Sequence, residues 1–415
     1  MSKLVTAVHH RWFLNWNIFL IFNLIVLLLK IGFSIRLGFH ADFFEDWKIA
    51  ENLAAHGEYS WYIDHGNSAY KLPAYPLYLY INILVFGVSN AVPVIIITQH
   101  LFYFIIPIII KHIFTNFKLR SAGILAAYLF ILSPSYFYYS NILEATNLFI
   151  LLTVLYGWLY SCLWKGMHAL SLLFCFGVVS GILALTQVVF IPVMVILMIF
   201  FLLNKKSKVK NVLFVIMVGT LVYSPWVVRN YITFDKLILS KTPVWQNVFV
   251  GYVSEYQILS SNQFMSKEYE KSVFDKVTFE NEFFAEKVYE QEVLKIVEKD
   301  NLAPFKKAVN NFISLWYVPK IYFNDYSFKI LFGRKLYVIL INTALLLSLI
   351  FLFRKHKRIF FLSCFLLAGF TVPYLVGHAA NIRFKLDFEW IQTCIIALAY
   401  VLFRNLRPKY KTAED

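Results

Sequence analysis

The sequence predicts an all-α polytopic membrane protein, and three observations carry that expectation. Of 415 residues, 60% are hydrophobic and only 15% are charged, against about 25% charged and 45–50% apolar in ordinary soluble domains. The apolar residues fall in long runs, each enough for about 25–35 Å of helix at 1.5 Å per residue. In the short connections between those runs, the basic residues fall on alternate sides only. A soluble helical protein would show apolar and polar faces in alternation instead.

Ten spans are read at 13–35, 91–110, 121–137, 143–164, 168–185, 188–203, 211–228, 336–353, 359–377 and 386–404. The first is a retained span, because no small-residue cleavage site follows it. The apolar stretch Tyr75–Phe86 covers only about 18 Å and is assigned to a helix lying on the membrane surface. With that assignment, segments 1–12, 111–120, 165–167, 204–210, 354–358 and 404–415 share one side and hold eighteen Lys and Arg. The short connections 138–142 and 186–187 lie opposite and hold none. Loops rich in Lys and Arg stay cytoplasmic, so both termini are expected there, in a bacterial inner membrane. If Tyr75–Phe86 crossed, the alternation would collapse.

The net charge of +15 is therefore a topology signal, and no nucleic-acid partner is expected. Cys162, Cys175, Cys364 and Cys394 are scattered one per apolar run, without zinc spacing or a disulfide framework. No internal repeat divides the chain, so residues 1–415 are expected to form one membrane-embedded domain. Two long segments, 36–90 and 229–335, face the non-cytoplasmic side; loops of that length are commonly functional.

In the first long loop, Phe43, Trp47, Ala50 and Ala54 share a helix face that Gly57 ends. Asp42 sits just before it, either as a helix cap or as a catalytic carboxylate; a capped carboxylate is also well oriented. Glu45 and Asp46 are supporting acids in the first turn, where helix polarity favours them. Lys71 precedes Pro73 and Pro76 at head-group level, either snorkelling or contacting phosphate. Glu144 falls at the outer end of the fourth span with no local basic partner, a site hypothesis by default at membrane depth. Arg229 and Arg383 stand at outer boundaries, against the inside-positive bias. They pair with Asp235 or Asp387 or with lipid phosphates, or they hold an anionic leaving group, for which the arginine fork is suited.

These pieces together resemble the type-C (GT-C) glycosyltransferase superfamily, and within it the bacterial protein-mannosyltransferase-like group that includes the lipid A aminoarabinose transferase. The resemblance runs the length of the chain. It rests on Asp42 followed by Ala50-x-x-Leu53-x-x-x-Gly57, on Lys71-x-Pro73-x-Tyr75-Pro76-Leu77, and on Phe86-Gly87-Val88-Ser89. It continues through Ser133-Pro134 with Glu144, Leu185-Thr186, Pro225-Trp226-x-x-Arg229-Asn230-Tyr231, Asn247-x-x-x-Gly251 and Arg383-Phe384. It implies a catalytic carboxylate at Asp42, lipid phosphate bound by Lys71 and an outer arginine, and Glu144 within the site. Phe43 stands where Glu is frequent, Tyr70 where some relatives ligate a metal through Glu, and Gln187 where many carry Arg. Those departures leave the cofactor unknown, a divalent metal included, and the sugar open.

The reading is an inverting glycosyltransferase. It would move a hexosyl or pentosyl group from a polyprenyl-phosphate donor to a lipid, glycan or protein acceptor on the non-cytoplasmic face, among membrane lipids. A lipid-linked glycan transporter or flippase would predict repeated halves and mid-span charges. An O-antigen polymerase or ligase would concentrate its key residues in a large later loop.

Overall fold

The computed structural model describes residues 14–39, 45–203, 209–259, 261–278, 280–317, 328–379 and 382–406. Among them are seventeen α-helices and no strand. The first expected span is α1 (Trp16–Arg36), capped by the Asn15 side chain on Asn17 N. Then α2 (Glu45–His56) follows the face read in the sequence, with Trp47 and Ala50 buried, and stops at Gly57, whose φ of +72° suits glycine. A second such break at Gly87 (φ +76°) separates α3 (Ala74–Phe86) from α4 (Val88–Asn116). Next come α5 (Arg120–Ile131) and α6 (Pro134–Tyr139), the latter capped by Ser133. Glu144 is the N-cap residue of α7 (Ala145–Lys165). After it come α8 (Leu170–Thr186), α9 (Ile191–Leu202) and α10 (Val209–Phe234). The second long loop holds α11 (Val244–Val250), α12 (Lys267–Val277), α13 (Glu282–Lys299) and α14 (Ala303–Trp316). The chain closes with α15 (Phe328–Lys355), α16 (Lys357–Gly377) and α17 (Ile382–Leu406).

Seven helices, α1, α4, α7, α10, α15, α16 and α17, are long and apolar enough to cross a membrane, which makes this a multi-pass membrane protein. The other three expected spans are also helical but shorter, with α5, α8 and α9 at 12, 17 and 12 residues. The run at 121–137 breaks into α5 and α6 because Pro134 has no N–H to continue the ladder. The expected surface helix is α3, and its 13 residues reach only about 20 Å.

Small residues let α8 and α10 approach closely. Gly177 and Gly181 on α8 face Gly219 on α10; a methyl group added at Gly181 would lie 2.7 Å from Val222 Cβ and 2.8 Å from Gly219 O. Lipid supplies no hydrophobic drive between helices, so such close packing carries the association. Gly181→Leu is expected to lower stability by about 1–3 kcal/mol through forced separation of α8 and α10. A thermal-unfolding series in detergent, with the lipid-facing Phe174→Leu as control, checks this.

Spans α1 and α17 also bury charge, and each charged group has a polar partner. Lys30 donates to Tyr136 O at 2.9 Å and Ser140 Oγ at 3.1 Å. Lys385 donates to Asn342 Oδ1 at 2.7 Å. Asp387 accepts from the Tyr374 hydroxyl. Glu389 accepts from Ser133 Oγ at 2.7 Å and Tyr337 Oη at 2.6 Å. The first half of α17 thus carries buried polar groups, alternating with apolar core residues, into the bundle, and Arg383 lies at its start.

The two long loops dock on one end of the bundle. Helices α2 and α3 pack through Trp47, Ala50, Tyr75 and Leu79 onto Ala91 and Ile95 of α4. Helices α11–α13 share a separate apolar core around Phe249, Tyr252 and Tyr289. Their unit is fastened to the first loop by Glu282 and to the end of α16 by α14.

Candidate active site

Residues 67–71 of the first loop form an irregular strap, held from both sides. Arg229 of α10 donates to Ser68 O at 2.8 Å and to Asn67 Oδ1 at 3.1 Å, and its guanidinium lies over the Tyr59, Trp226 and Phe234 rings. Glu282, at the start of α13, accepts from Ser68 Oγ at 2.9 Å and Ala69 N at 2.8 Å. Thr242 N donates to Ala69 O at 3.0 Å, and Tyr59 Oη to Lys71 O at 3.0 Å. These bonds satisfy the strap's backbone and aim Lys71 at the N-terminus of α2. Lys71 Nζ lies 3.5 Å from Glu45 Oε2 and 3.8 Å from Asp46 Oδ2.

The opposite wall is built by the turn after α6 and by the start of α17. Gln99 Nε2 and Asn147 Nδ2 donate to Ile142 O at 2.9 and 2.7 Å, fixing the turn that presents Glu144. Arg383 Nη1 donates to Glu144 Oε1 at 2.5 Å. His378, just past α16, packs edge-on against Phe384, and its Nδ1 lies 3.0 Å from Ala379 O. Asn311 of α14 holds the His378 carbonyl at 2.7 Å.

One electrostatic field joins the two walls. Burial would raise the Glu45 carboxyl, but the Lys71 ammonium, a backbone hydrogen bond and Arg383 hold it below its usual range. Asp46 is buried more deeply, and burial wins there, raising its carboxyl despite Lys71. Burial opposes charge on Lys71 as well, yet Asp46 and Glu45 outweigh it and raise the ammonium above its usual range. Lys241, beside the strap through Thr242, is pushed down to about 8 by burial and then by Lys71. Burial and the Lys241 charge bring His378 down to about 3, so its imidazole is neutral at pH 7. Among the described residues Lys241 has no ion-pair partner, whereas Lys71 has two and Arg383 has one.

Glu45, Asp46, Lys71, Glu144 and Arg383 therefore meet in one charged cluster. Asp42 lies outside the described residues, shortly before α2. Arg229 is engaged with the strap backbone and with Asn230, and its charge couples to Tyr59 and Glu282 rather than to Lys71. Lys241 and His378 are cluster members that sequence reasoning left without a role. Lys241 is placed by the pairing of 242 with 69, a long-range contact with no local signal; His378 was visible only as a polar residue at a span end. Among the described residues no three His, Cys, Asp or Glu side chains converge as a metal site.

The fold and cluster define an all-helical membrane protein with a charged site at one end of its bundle. No family model and no curated protein sequence matches the chain. Solved structures do. The Archaeoglobus fulgidus oligosaccharyltransferase tethered to an acceptor peptide superposes with a TM-score of 0.51 at 14% identity, over 92% of this chain and 50% of that one. The oligosaccharyltransferase AglB from the same organism, in complex with an inhibitory peptide and a dolichol-phosphate, gives 0.51 at 15% identity, with the same coverage. ArnT from Cupriavidus metallidurans bound to undecaprenyl phosphate gives 0.42 at 10% identity, over 92% of this chain and 77% of that one. The chain shares its fold with these oligosaccharyltransferase structures over most of its own length, and it spans about half the length of the two oligosaccharyltransferase chains.

Proposed function

We propose that the protein is an inverting glycosyltransferase that moves a hexosyl or pentosyl group from a polyprenyl-phosphate donor to an acceptor on the non-cytoplasmic face of a bacterial inner membrane. The observation that carries this reading is the charge layout: three cations, Lys71, Lys241 and Arg383, around a loop rich in carboxylates. Lys241 is the cation without a carboxylate of its own among the described residues, which suits it to a ligand's phosphate. The shared fold adds support, since AglB was captured with a dolichol-phosphate.

In the proposed step, Asp42 takes the acceptor hydroxyl proton while that oxygen attacks the anomeric carbon. The bond from that carbon to the phosphate oxygen breaks on the opposite side, so the centre inverts. The charge gathering on the departing polyprenyl phosphate is met by Lys71, Lys241 and Arg383, fixed in place before the reaction. Glu144 orients Arg383, and Glu45 and Asp46 orient Lys71. In this reading the carrier's isoprenoid tail would lie along an open apolar groove of about 300 Å³ between α9 and α16, lined by Pro192, Ile196, Phe365, Gly369, Val372 and Val376.

Transfer of label from a panel of radiolabelled polyprenyl-phosphate sugars into membrane extract tests the reading. At least one sugar is expected to leave its carrier; label retained on every carrier overturns it. A pH series tests Lys241 separately. Its ammonium is present below pH 8 and lost above it, so donor kcat/KM is expected to fall as pH rises through about 8. Lys241→Arg, charged throughout that range, is expected to flatten that limb. An unchanged profile would remove Lys241 from the phosphate site.

A further inference from the structure

Helix α14 is built with its polar face inward. Lys307, Asn310, Asn311 and Ser314 are buried, and each lies on the side turned to the protein. Lys307 Nζ donates to Val376 O at 2.8 Å, and Asn311 Nδ2 to Leu375 O at 3.1 Å, capping the carbonyls that end α16. Asn310 ties the helix to the chain at Tyr256 and Ile258. On the opposite side Leu302, Phe305, Val309 and Phe312 are exposed at 60%, 69%, 36% and 49%. Their spacing of three, four and three places them on one stripe.

Position says what covers this stripe. The polar face of α14 lies across the end of α16, an apolar membrane-crossing helix. Its C-terminal end descends further: Trp316 packs on Phe388 of α17 at 5.7 Å, and Asn342 of α15 donates to Trp316 O at 2.7 Å. Phe388 and Asn342 lie within crossing helices, so α14 runs from the boundary into the leaflet. A helix at that depth with large apolar side chains turned away from the protein faces lipid. Lys306 flanks the stripe, bonded to Asp300 at 2.6 Å, as basic residues do at head-group level.

We propose that α14 is a membrane-embedded anchor, whose Leu302–Phe305–Val309–Phe312 stripe inserts into the acyl region of the leaflet on the loop side. The second long loop is then held to the bilayer as well as to the bundle. Because α14 also holds the His378 carbonyl, the position of that site residue is tied to the membrane surface. The loop cannot lift from the site without drawing the stripe out of lipid.

Full-length protein in phosphatidylglycerol nanodiscs, labelled with bimane at Phe305→Cys or Phe312→Cys, tests the anchor. The native cysteines, of which Cys175 is exposed, supply a background measured on labelled wild type. Both side chains point outward, so neither replacement opens a core. Acyl-brominated lipid is expected to quench both labels, and aqueous iodide to leave them bright. A label at Lys271→Cys on α12, an exposed polar position, is expected to behave in reverse. Iodide quenching at 305 and 312 without quenching by brominated lipid would overturn the proposal. So would protection from both quenchers together with a 305–305 disulfide dimer formed by the unlabelled Phe305→Cys protein under copper-phenanthroline oxidation, which would show a second copy on the stripe.

Discussion

Asp42→Asn is expected to leave the protein folded and remove most sugar transfer, a loss of about 10²–10⁴-fold. Asparagine caps a helix as well as aspartate does, so this substitution keeps the structural role and deletes the proton acceptor. Asp46 is the competing carboxylate. It is buried in α2, it shares Lys71 with Glu45, and burial raises its proton affinity. In the proposed step it orients Lys71, so Asp46→Asn is expected to raise donor KM with a smaller loss of turnover. Steady-state transfer by purified variants, matched for thermal stability, separates the two. Near-normal turnover in Asp42→Asn with an inactive Asp46→Asn would move the base one helical turn.

Arg383→Gln is expected to cost about 10²–10³-fold in turnover, the scale for losing one fixed stabiliser of transition-state charge. It should also destabilise the fold, because Glu144 is left buried without its partner; breaking such a pair costs about 3–5 kcal/mol. The double variant Arg383→Gln/Glu144→Gln discriminates between these effects. It removes the stranded charge, so stability is expected to recover while transfer stays low. Thermal unfolding and transfer assays on the same preparations give the comparison. Recovery of both in the double variant would make the pair structural only.

Much of this layout was legible in the sequence because its signals are local. The α2 face at Trp47 and Ala50 and its stop at Gly57 each follow from a few neighbouring residues, whereas the continuous apolar run at 121–137 masks the break at Pro134. Glu144 and Arg383 stood out singly, since charge at a span end is costly without a reason, and they proved to be partners. Arg229 was equally conspicuous, but nothing near it in the chain shows that its donors go to Asn67 and Ser68, about 160 positions away. Lys241 is invisible for the same reason. The inverted pattern of α14 shows a further boundary: periodicity reveals that a helix has an apolar face, but not whether protein or lipid covers it.

In the proposed reading the cluster's central role is to hold a lipid phosphate between Lys71, Lys241 and Arg383. Native mass spectrometry of the purified protein with added undecaprenyl phosphate tests that most directly. Wild type is expected to bind one lipid saturably, Lys241→Ala and Arg383→Gln/Glu144→Gln to bind it more weakly, and Arg229→Lys to bind it as wild type does. Equal binding by wild type and both cluster variants, or loss confined to Arg229→Lys, would contradict the assignment.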